Sequence, residues 1–309
     1  MLQRRVYIFM LILLLSTLAM PVIHAQEDDN TLPPWDGETR FTVLVMGMDR
    51  RPGARDNLRA RTDAILLVSV DPATESIGVL HIPRDLHFVP PDLADFLRIN
   101  TLLVEGENLQ EGYGPYYMME TLQYNLGIYI DRYVAFDFEA FVSLVDAIGG
   151  VTVNNRYIID DPTYPDMNYG YDPFYLPSGP QTLDGYDALR FARTRHSDND
   201  YLRGERQMQI VVAVMERLRE PEALAQLIRN GPDLLEDLQH NVYTDMTLEE
   251  MTELARFALS VDQANIHTGA INQAYIISFT IDNGQSAHIP DRTKMVELLI
   301  DVFGEDYTP

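Results

Sequence analysis

The sequence of 309 residues contains no cysteine. Disulfide bonds, a thiolate nucleophile and cysteine-based metal sites are therefore excluded. Its seven histidines are scattered, with no HExxH motif and no pair at the spacing of metal ligands within a helix, so a zinc site is not expected. The sequence also lacks the GxSxG motif of a serine nucleophile and the GxxxxGKS or GxxxxGKT motif of a nucleotide-binding loop.

Lysine is almost absent, because Lys294 is the only lysine among 23 basic residues. The formal net charge is −24. A protein that binds nucleic acid non-specifically needs a basic surface to displace the counterions of the phosphates, so a nucleic-acid partner is not expected. The hydrophobic content of 46% is enough for one sizeable core or two small ones.

The first residues have the pattern of a targeting segment. Two arginines precede an apolar run over residues 7–20, and a small residue follows at Ala25. We predict that residues 1–25 are a secretory signal peptide or, because the apolar run approaches membrane-spanning length, an uncleaved signal-anchor. The polar, proline-containing residues 26–39 are predicted to be a linker. Both alternatives make the rest of the chain extracytoplasmic, secreted or anchored at the outer face of the cytoplasmic membrane.

Apolar runs of strand length alternate along the chain with stretches of helical periodicity. Residues 41–48 are continuously apolar, as in a strand that is covered on both faces. Residues 157–182, rich in Tyr, Pro, Asp and Gly, are predicted to be a long surface loop. Thr247 and Glu250 have the spacing of a capping box. Further strands are predicted at 63–71, 76–82, 133–138, 151–154, 274–281 and 285–289, and helices at 115–126, 139–148, 202–220, 222–229, 247–260 and 292–303. This interleaving of strands and helices predicts an α/β domain built in layers.

The arginines are concentrated in two windows. Residues 50–61 and residues 190–206 hold five arginines each, although the two windows cover a small part of the chain. The planar guanidinium group suits bidentate contacts to phosphate or carboxylate groups. The concentration indicates an anion-binding site, and the alternative for either window alone is a set of surface salt bridges.

The second window leads into a predicted helix. Arg203, Arg206 and Gln207 lie within one turn of one another and share a face, and the free N–H groups at a helix start also favour an anion. Arg193 and Arg195 would project together if their segment were extended. The alternative is a loop of solvated charges.

Two aspartates flank the first window. Asp49 and Asp63 each lie at the end of a predicted strand, where open α/β sheets place their binding sites. Two carboxylates beside arginines suit a divalent cation that bridges a diphosphate, Mg²⁺ or else Mn²⁺. Arg84, just past a predicted buried strand, is a further candidate. The alternatives are that each aspartate caps a turn and that Arg84 forms a salt bridge with Asp85 or a neighbour.

Several short motifs follow one another in a fixed order over residues 41–220. They are VLVMGMD at 43–49, RTDAILLVSVD at 61–71, IPRD at 82–85, RIN at 98–100, IDRYVAFDFEAFVSLVDAIGGVTV at 130–153 and LDGYDALRFARTRHSDNDYLRGERQ at 183–207. The ordered set is more specific than any single motif. In these motifs the chain resembles the LytR-CpsA-Psr family of cell-envelope proteins.

The resemblance implies a layered α-β-α sandwich with a central mixed sheet and an apolar pocket for a polyprenyl chain. It implies a phosphotransferase that moves a glycopolymer from a polyprenyl-pyrophosphate carrier to a peptidoglycan hydroxyl as a phosphodiester. The partners would be this lipid-linked glycan, peptidoglycan and the membrane surface. Phosphoryl transfer depends on charge neutralisation and positioning, which agrees with arginines and carboxylates in a chain without a nucleophile motif.

The resemblance also assigns roles to residues. Asp49 and Asp63 correspond to aspartates associated with Mg²⁺ (or Mn²⁺), and Asp63 and Arg84 are the catalytic candidates. Arg190 and Arg206 have no counterpart among the assigned residues. The set that corresponds to the pyrophosphate-binding residues comprises Arg61, Arg84, Arg98, Arg193, Arg195, Asp200, Arg203 and Gln207.

The chain departs from the family pattern at three places. His81 stands before IPRD where serine is common, Arg98 replaces a lysine, and EGE at 105–107 replaces a glycine pair in a predicted loop. We predict a LytR-CpsA-Psr catalytic domain at 40–220 and a C-terminal α+β extension at 221–309 that packs on the same domain.

Two other functions stay open. One is hydrolysis of polyprenyl pyrophosphate without an acceptor. The other is a non-catalytic lipid-binding or regulatory module, which the family's older name of transcriptional attenuator suggests. The predicted export and the negative charge argue against direct contact with DNA. The retained aspartates and arginines favour an enzyme.

Overall fold

The structure is a computed structural model that describes residues 34–51, 57–166, 170–194, 200–281, 284 and 286–307. The described residues form two compact units. The sheet unit comprises the described residues of 34–50, 57–135 and 243–307, and the helical unit comprises residue 51 and the described residues of 136–242. In the described part of the chain, no helix is long and apolar enough to span a membrane. The predicted signal segment at 1–25 lies outside the described residues.

The strands are β1 Phe41–Met48, β2 Thr62–Asp71, β3 Ser76–His81, β4 His87–Phe88, β5 Leu97–Arg98, β6 Arg132–Phe136, β7 Val151–Asn155, β8 Ile159–Asp161, β9 Phe174–Leu176, β10 Gly179–Leu183, β11 Val242–Thr244, β12 Ile266–Ala270, β13 Ile276–Thr280 and β14 Ser286–Pro290. The helices are α1 Leu102–Leu109, α2 Gly114–Leu126, α3 Phe138–Ala147, α4 Gly185–Arg193, α5 Asp200–Leu218, α6 Pro221–Leu238, α7 Leu248–Ser260 and α8 Arg292–Phe303.

Six strands form the central sheet of the sheet unit, in the order β11-β6-β1-β2-β3-β12. β1 pairs with β2 and β2 pairs with β3 in antiparallel register, whereas β12 joins β3 in parallel. The sheet is therefore mixed. This confirms the predicted α/β fold with a central mixed sheet, while the predicted apolar lipid pocket stays a prediction.

One face of this sheet is covered by α1, α2 and α8. Leu44, Leu67 and Leu80 are fully buried in a cluster that includes residues of these three helices. α8 lies close to the backbone of β3, because a Cβ atom at Gly78 would be 2.4 Å from the carbonyl oxygen of Val302. A larger residue at Gly78 would therefore force the helix away from the sheet.

The opposite face is covered by α7 and by residues that precede β1. Trp35 stacks on Phe41 with 4.9 Å between the ring centroids, and it meets Phe257 of α7 edge-on. Trp35 lies in the predicted linker, yet only 6% of its surface is exposed. The compact units divide the chain differently from the predicted domains 40–220 and 221–309, and those domain bounds stay a prediction.

The helical unit has a core of its own. Val145, Val151 and Phe191 are fully or almost fully buried in one cluster, which α3, α4, α5 and β7 share. α3 begins at Asp137, whose carboxylate accepts a hydrogen bond from the backbone N–H of Ala140. This N-cap satisfies one of the free N–H groups at the helix start.

Several elements lie where the sequence predicts them. β1 and α8 have the predicted bounds, because a continuous apolar run and a helical stripe are both local signals. α2 ends at Gly127, whose φ of 70° is the left-handed conformation that favours glycine. Thr247 and Glu250 exchange side-chain and backbone hydrogen bonds, so the predicted capping box is confirmed.

Two predictions about loops are wrong. Residues 157–182 contain paired strands, since β8 pairs with β9 and β10 pairs with β7. The EGE segment lies inside α1. There the buried Glu107 carboxylate accepts hydrogen bonds from the N–H groups of Gly112 at 3.2 Å and Gly114 at 3.0 Å. The carboxylate thus ties α1 to the start of α2.

Candidate functional site

Asp63 lies in a β-bulge at the end of the β1–β2 pair. Gly47 pairs with Ala64 and Met48 pairs with Thr62, so Asp63 has no partner in the ladder. A bulge of this kind breaks the alternation of a strand and redirects a side chain, and bulges are common next to active sites. The bulge therefore explains how a carboxylate can project from a strand that is otherwise largely buried.

The Asp63 carboxylate pairs with Arg84. Arg84 Nη1 donates a hydrogen bond to Asp63 Oδ1 at 2.5 Å, and the two side chains are 18% and 21% exposed. Arg84 lies three residues after the end of β3, and its carbonyl oxygen accepts a hydrogen bond from the N–H of Asn100 at 3.3 Å. The structure thus brings together the two predicted catalytic residues in a charge-assisted contact that is open to solvent on one side.

A second aspartate lies between two arginines of the predicted set. Asp85 Oδ2 is 3.7 Å from Arg84 Nε, and Asp85 Oδ1 is 3.7 Å from Arg98 Nη1. Arg98 is on β5, opposite His87 of β4. Burial lowers the pKa of the His87 imidazole and the Arg98 guanidinium lowers it further, which favours the neutral form of His87 beside the arginines. The predicted alternative of a contact between Arg84 and Asp85 is therefore observed together with the Asp63 contact.

The remaining predicted residues of the sheet unit flank this cluster. Asp49 directly follows β1, and its N–H donates a hydrogen bond to the carbonyl oxygen of Arg61 at 2.7 Å. Both residues are exposed. Asp49, Arg61 and Asp63 therefore lie at the same end of the β1–β2 pair, as the sequence predicts for strand ends.

Two buried polar residues of the cluster were missed by sequence reasoning. Thr62 is fully buried and Asn100 is 3% exposed. Thr62 Oγ1, Asn100 Oδ1 and also Arg84 Nε have no hydrogen-bond partner among the residues that the structure describes. Such groups are uncommon in protein cores and cost about 1–3 kcal/mol each when they stay unsatisfied. Both residues lie inside the motifs RTD and RIN, but neither motif indicates which of its side chains is buried.

The carboxylates fit a magnesium ion only with help from a substrate. No group of three or more Asp, Glu, His or Cys side chains in the described ranges could hold a metal ion. Asp49 and Asp63 can supply two hard oxygen ligands, and protein-bound Mg²⁺ is commonly held by one or two carboxylates together with phosphate oxygens and water. The donor set is therefore compatible with an ion that binds together with a phosphorylated substrate.

The residues of the second window lie in the helical unit. Arg193 is the last residue of α4, so the condition that its segment be extended is not met at this position. Its Nη1 donates a hydrogen bond to the hydroxyl of Tyr164 at 3.0 Å, and its guanidinium carbon lies 4.0 Å from the ring centroid of Phe138. Aromatic rings thus hold one face of this guanidinium. Arg195 lies outside the described residues.

Arg203, Arg206 and Gln207 are all buried on α5, at 3%, 6% and 8% exposure. Arg206 Nε donates to the carbonyl oxygen of Phe191 at 2.8 Å, and Arg206 Nη2 donates to the carbonyl oxygen of Thr194 at 2.5 Å. These are carbonyls at the C-terminal end of α4, where a cation is favourable. Arg206 therefore holds α4 against α5.

Two members of the predicted pyrophosphate set, Arg203 and Gln207, belong to α5. Asp200 starts the same helix, and its side chain lies outside what the structure describes. The cluster around Asp63 and the arginines of α4 and α5 belong to different compact units. Their convergence on one pyrophosphate group stays a prediction.

Comparisons with known proteins agree with the motifs. The sequence model of the LytR_cpsA_psr family matches residues 19–300. TagU of Oceanobacillus iheyensis, named a polyisoprenyl-teichoic acid–peptidoglycan teichoic acid transferase, is 31% identical over 216 residues, which are 69% of this chain and 61% of that protein. The chain spans 55% to 64% of the length of the first curated relatives it matches.

Solved structures share the fold. The crystal structure of TagV from Bacillus subtilis is 25% identical, with a TM-score of 0.67 over 88% of this chain and 99% of that chain. The structure of TagT bound to LI-WTA is 24% identical, with a TM-score of 0.63 over 88% of this chain and 94% of that chain, and it supports the fold alone. The family model covers most of the chain, and this chain belongs to the LytR_cpsA_psr family.

Proposed function

We propose that this protein is a phosphotransferase that moves a glycopolymer from a polyprenyl-pyrophosphate carrier to a hydroxyl group of peptidoglycan. The observation that carries the proposal is the pair of Asp63 and Arg84, partly exposed at the end of the central sheet and surrounded by further charged residues. The names of the TagU relatives describe a transfer of this kind. No described cysteine, serine motif or zinc cluster offers a competing chemistry.

The proposed reaction balances as a phosphoryl substitution. The oxygen of the acceptor hydroxyl attacks the phosphorus that carries the glycopolymer, and the bond from this phosphorus to the bridging oxygen breaks. Polyprenyl phosphate leaves, and the product is a phosphodiester between the glycopolymer and the acceptor. The acceptor's proton passes to a base as the new bond to phosphorus forms.

Arginines supply the charge that this reaction needs. Negative charge on the pyrophosphate repels an incoming oxygen nucleophile, and charge accumulates on the bridging oxygen as it leaves. Arg84 presents a buried Nε without a hydrogen-bond partner among the described residues, beside Arg98 on the neighbouring hairpin. A phosphate oxygen that contacts the partly exposed Arg84 side chain would be stabilised by its positive charge.

A divalent cation is part of the proposal. Asp49 and Asp63 would hold Mg²⁺ (or Mn²⁺), and the ion would neutralise phosphate charge when it is bound. In this arrangement Arg84 orients the Asp63 carboxylate through the observed hydrogen bond. Asp49 is an exposed residue at the end of β1.

Localisation follows from the same proposal. Polyprenyl-linked glycans and peptidoglycan meet at the outer face of the cytoplasmic membrane, and residues 1–25 would deliver the domain there as a signal peptide or hold it there as a signal-anchor. The apolar carrier would require contact with the membrane surface. Both points rest on the predicted segment and on the proposed substrate.

The test is a transfer assay with a purified lipid-linked glycopolymer and peptidoglycan. We expect the full chain to attach the polymer to peptidoglycan, and Arg84→Ala to lower the rate roughly 100-fold or more. Arg256→Ala is the matched control, because Arg256 is an exposed arginine that pairs with Glu253 on α7. Release of free phosphate at the same rate without peptidoglycan would identify a hydrolase instead. Equal transfer by Arg84→Ala and the parent would contradict the assigned site.

A further inference from the structure

The β4–β5 hairpin of the sheet unit is held by a second hairpin, which lies outside the motifs of residues 41–220. Arg98 of the predicted pyrophosphate set is on β5, and its side chain is 42% exposed. β13 and β14 pair with each other in antiparallel register and form the second hairpin. Two contacts join the hairpins, one through a hydrogen bond and the other through aromatic rings.

The hydrogen bond is made by a histidine side chain at the edge of β14. The backbone N–H of His288 donates outside the β13–β14 pair, to His87 Nδ1 at 3.3 Å. His87 is 8% exposed. A backbone N–H that is withdrawn from water at a strand edge needs an acceptor, and a histidine nitrogen accepts only when it carries no proton. The neutral His87 side chain therefore connects β4 to β14.

A chain of aromatic rings makes the second contact. The ring of Phe96 meets the imidazole of His87 edge-on, with 5.5 Å between the ring centroids. It also meets the ring of Phe279 on β13 edge-on, at 5.3 Å. Such contacts have a preferred geometry, because the edge of one ring is positive and the face of the other is negative. Phe96 directly precedes β5, so the rings connect β13 to the strand that carries Arg98.

Arg98 lies beside the two residues that contact the second hairpin. His87 and Arg98 are directly opposite each other in the β4–β5 ladder, and such partners project to the same face with Cβ atoms about 5 Å apart. Phe96 is two residues before Arg98, and extended backbone directs residues at this spacing to the same side. The contacts of His87 and Phe96 with β13 and β14 therefore restrain the position from which Arg98 projects.

From this position the Arg98 guanidinium reaches the cluster around Asp63. Arg98 Nη1 is 3.7 Å from Asp85 Oδ1, and the other carboxylate oxygen of Asp85 is 3.7 Å from Arg84 Nε. A partly exposed arginine loses conformational entropy when it is fixed on an anion, and this loss is smaller when its strand is already held in place. Restraint of β5 thus favours anion binding by Arg98.

We propose that His87 is a positioning residue of the pyrophosphate site: through His87 and Phe96, the β13–β14 hairpin holds Arg98 at the cluster around Asp63. The inference rests on the proposed function, in which Arg98 contacts the pyrophosphate of the donor. It extends the site to residues 276–290, which lie outside the motifs that carry the predicted site residues. His87 acts through Arg98 and does not itself touch the substrate.

The test measures binding of geranyl pyrophosphate to the full chain by calorimetry in the presence of Mg²⁺. We expect His87→Phe, which keeps a ring but removes the acceptor, to weaken binding about fivefold. His87→Asn keeps an acceptor oxygen near the position of Nδ1 and should restore the affinity to within about twofold of the parent's. His267→Phe is the matched control, since His267 is an exposed histidine of β12, and it should bind like the parent.

A double-mutant cycle tests whether His87 acts through Arg98. Arg98→Ala alone should weaken binding about tenfold. If His87 only positions Arg98, the addition of His87→Phe to Arg98→Ala weakens binding no further, whereas independent effects would multiply to about 50-fold. Amide hydrogen exchange at His288 gives a readout without ligand, and it should be faster in His87→Phe than in the parent or in His87→Asn.

Phe279→Ala tests the aromatic contact without changing His87. The substitution removes the ring on β13 that meets Phe96. It should weaken binding of geranyl pyrophosphate about threefold in the parent and should have no further effect in Arg98→Ala.

The outcomes separate this inference from the proposed function. Binding by His87→Phe and Phe279→Ala that equals that of the parent, or effects that multiply with that of Arg98→Ala, would overturn the positioning role. No binding of geranyl pyrophosphate by the parent would overturn it as well. If binding follows the expected cycle but no polymer reaches peptidoglycan, the positioning role stands and the transferase proposal fails.

Discussion

Asp63 and Arg84 form a hydrogen-bonded ion pair across the ends of β2 and β3, with 2.5 Å between Oδ1 and Nη1. Twenty residues separate them in the chain, and neither lies in a regular ladder position. The bulge redirects Asp63, and the backbone contact with Asn100 fixes the segment of Arg84. The contact between Asp63 and Arg84 thus depends on two irregular backbone features. Such features are common at functional sites, so this contact is the strongest structural support for a functional site at this end of the sheet.

Arg84→Lys separates the charge of Arg84 from its shape. Lysine keeps the positive charge but cannot contact Asp63 and a phosphate oxygen through a planar fork. We expect about tenfold slower transfer than the parent, a smaller loss than for Arg84→Ala. The measurement is the transfer rate at saturating donor. If Arg84→Lys is as slow as Arg84→Ala, the geometry of the guanidinium group matters more for the transfer rate than its charge. If Arg84→Lys is as fast as the parent, the guanidinium geometry has no role in transfer.

Asp63→Asn tests the proposed cation. Asparagine keeps the size of the side chain but loses one hard, charged ligand, so the Mg²⁺ concentration that gives half-maximal transfer should rise at least about tenfold. A titration of Mg²⁺ in the transfer assay measures this. Asp85→Asn serves as the comparison, because Asp85 contacts both arginines but is not a proposed metal ligand. An unchanged Mg²⁺ requirement in Asp63→Asn would remove Asp63 from the metal site.

Arg206→Leu should lower the stability of the protein through lost hydrogen bonds and should not remove a group that takes part in the transfer reaction. The substitution leaves the carbonyl oxygens of Phe191 and Thr194 without their donor inside the helical unit. Loss of two buried hydrogen bonds from a charged group should lower the free energy of unfolding by about 3–5 kcal/mol. Chemical denaturation measures it. Arg219→Leu, in a turn after α5, is the control, and a loss of transfer without a loss of stability in Arg206→Leu would place Arg206 in the site.

Two partly buried aspartates of the sheet unit should make its stability depend on pH. Burial raises the pKa of Asp131 and of Asp245 to about 6, although backbone N–H groups of Thr42 and Tyr133 donate hydrogen bonds to them. The folded state therefore holds more protons than the unfolded chain between about pH 4 and pH 6, and the free energy of unfolding falls as the pH rises through this window.

The double substitution Asp131→Asn and Asp245→Asn should reduce the change in the free energy of unfolding with pH. Asparagine keeps an acceptor oxygen for each N–H group and carries no charge to desolvate. The measurement is the free energy of unfolding from urea denaturation at pH 4.5 and pH 7. A double variant whose stability falls between these pH values as steeply as that of the parent would contradict the effect of these two residues.

The sequence predicts the elements of this structure that depend on neighbouring residues. It does not predict the features that depend on contacts between residues far apart in the chain. β1, α8 and the Thr247 capping box follow from patterns within a few residues, so their positions were predictable. The bulge at Asp63 depends on how β1 and β2 pair, which no local pattern records. For the same reason the helix that contains EGE was missed, because Glu107 is satisfied by N–H groups on another element.

The candidate site divides in the same way. Asp49, Asp63 and Arg84 were predictable as strand-end residues, and the structure brings Asp63 and Arg84 together. The buried Thr62 and Asn100 could not be recognised, since an unsatisfied oxygen is a property of the packed core and not of the residue type. The concentration of arginines predicts an anion site, and the family resemblance leaves Arg206 without a role. The contacts of Arg206 with the carbonyl oxygens of Phe191 and Thr194 then show what this arginine does in the structure.

The most direct test of the transferase account is detection of the bond it forms. Peptidoglycan should be incubated with a lipid-linked glycopolymer and the full chain, digested to soluble fragments, and measured by ³¹P NMR and mass spectrometry. The account expects a phosphodiester that joins the glycopolymer to a peptidoglycan sugar, present with the parent and nearly absent with Arg84→Ala. Consumption of the lipid-linked donor by the parent without any such phosphodiester would contradict it.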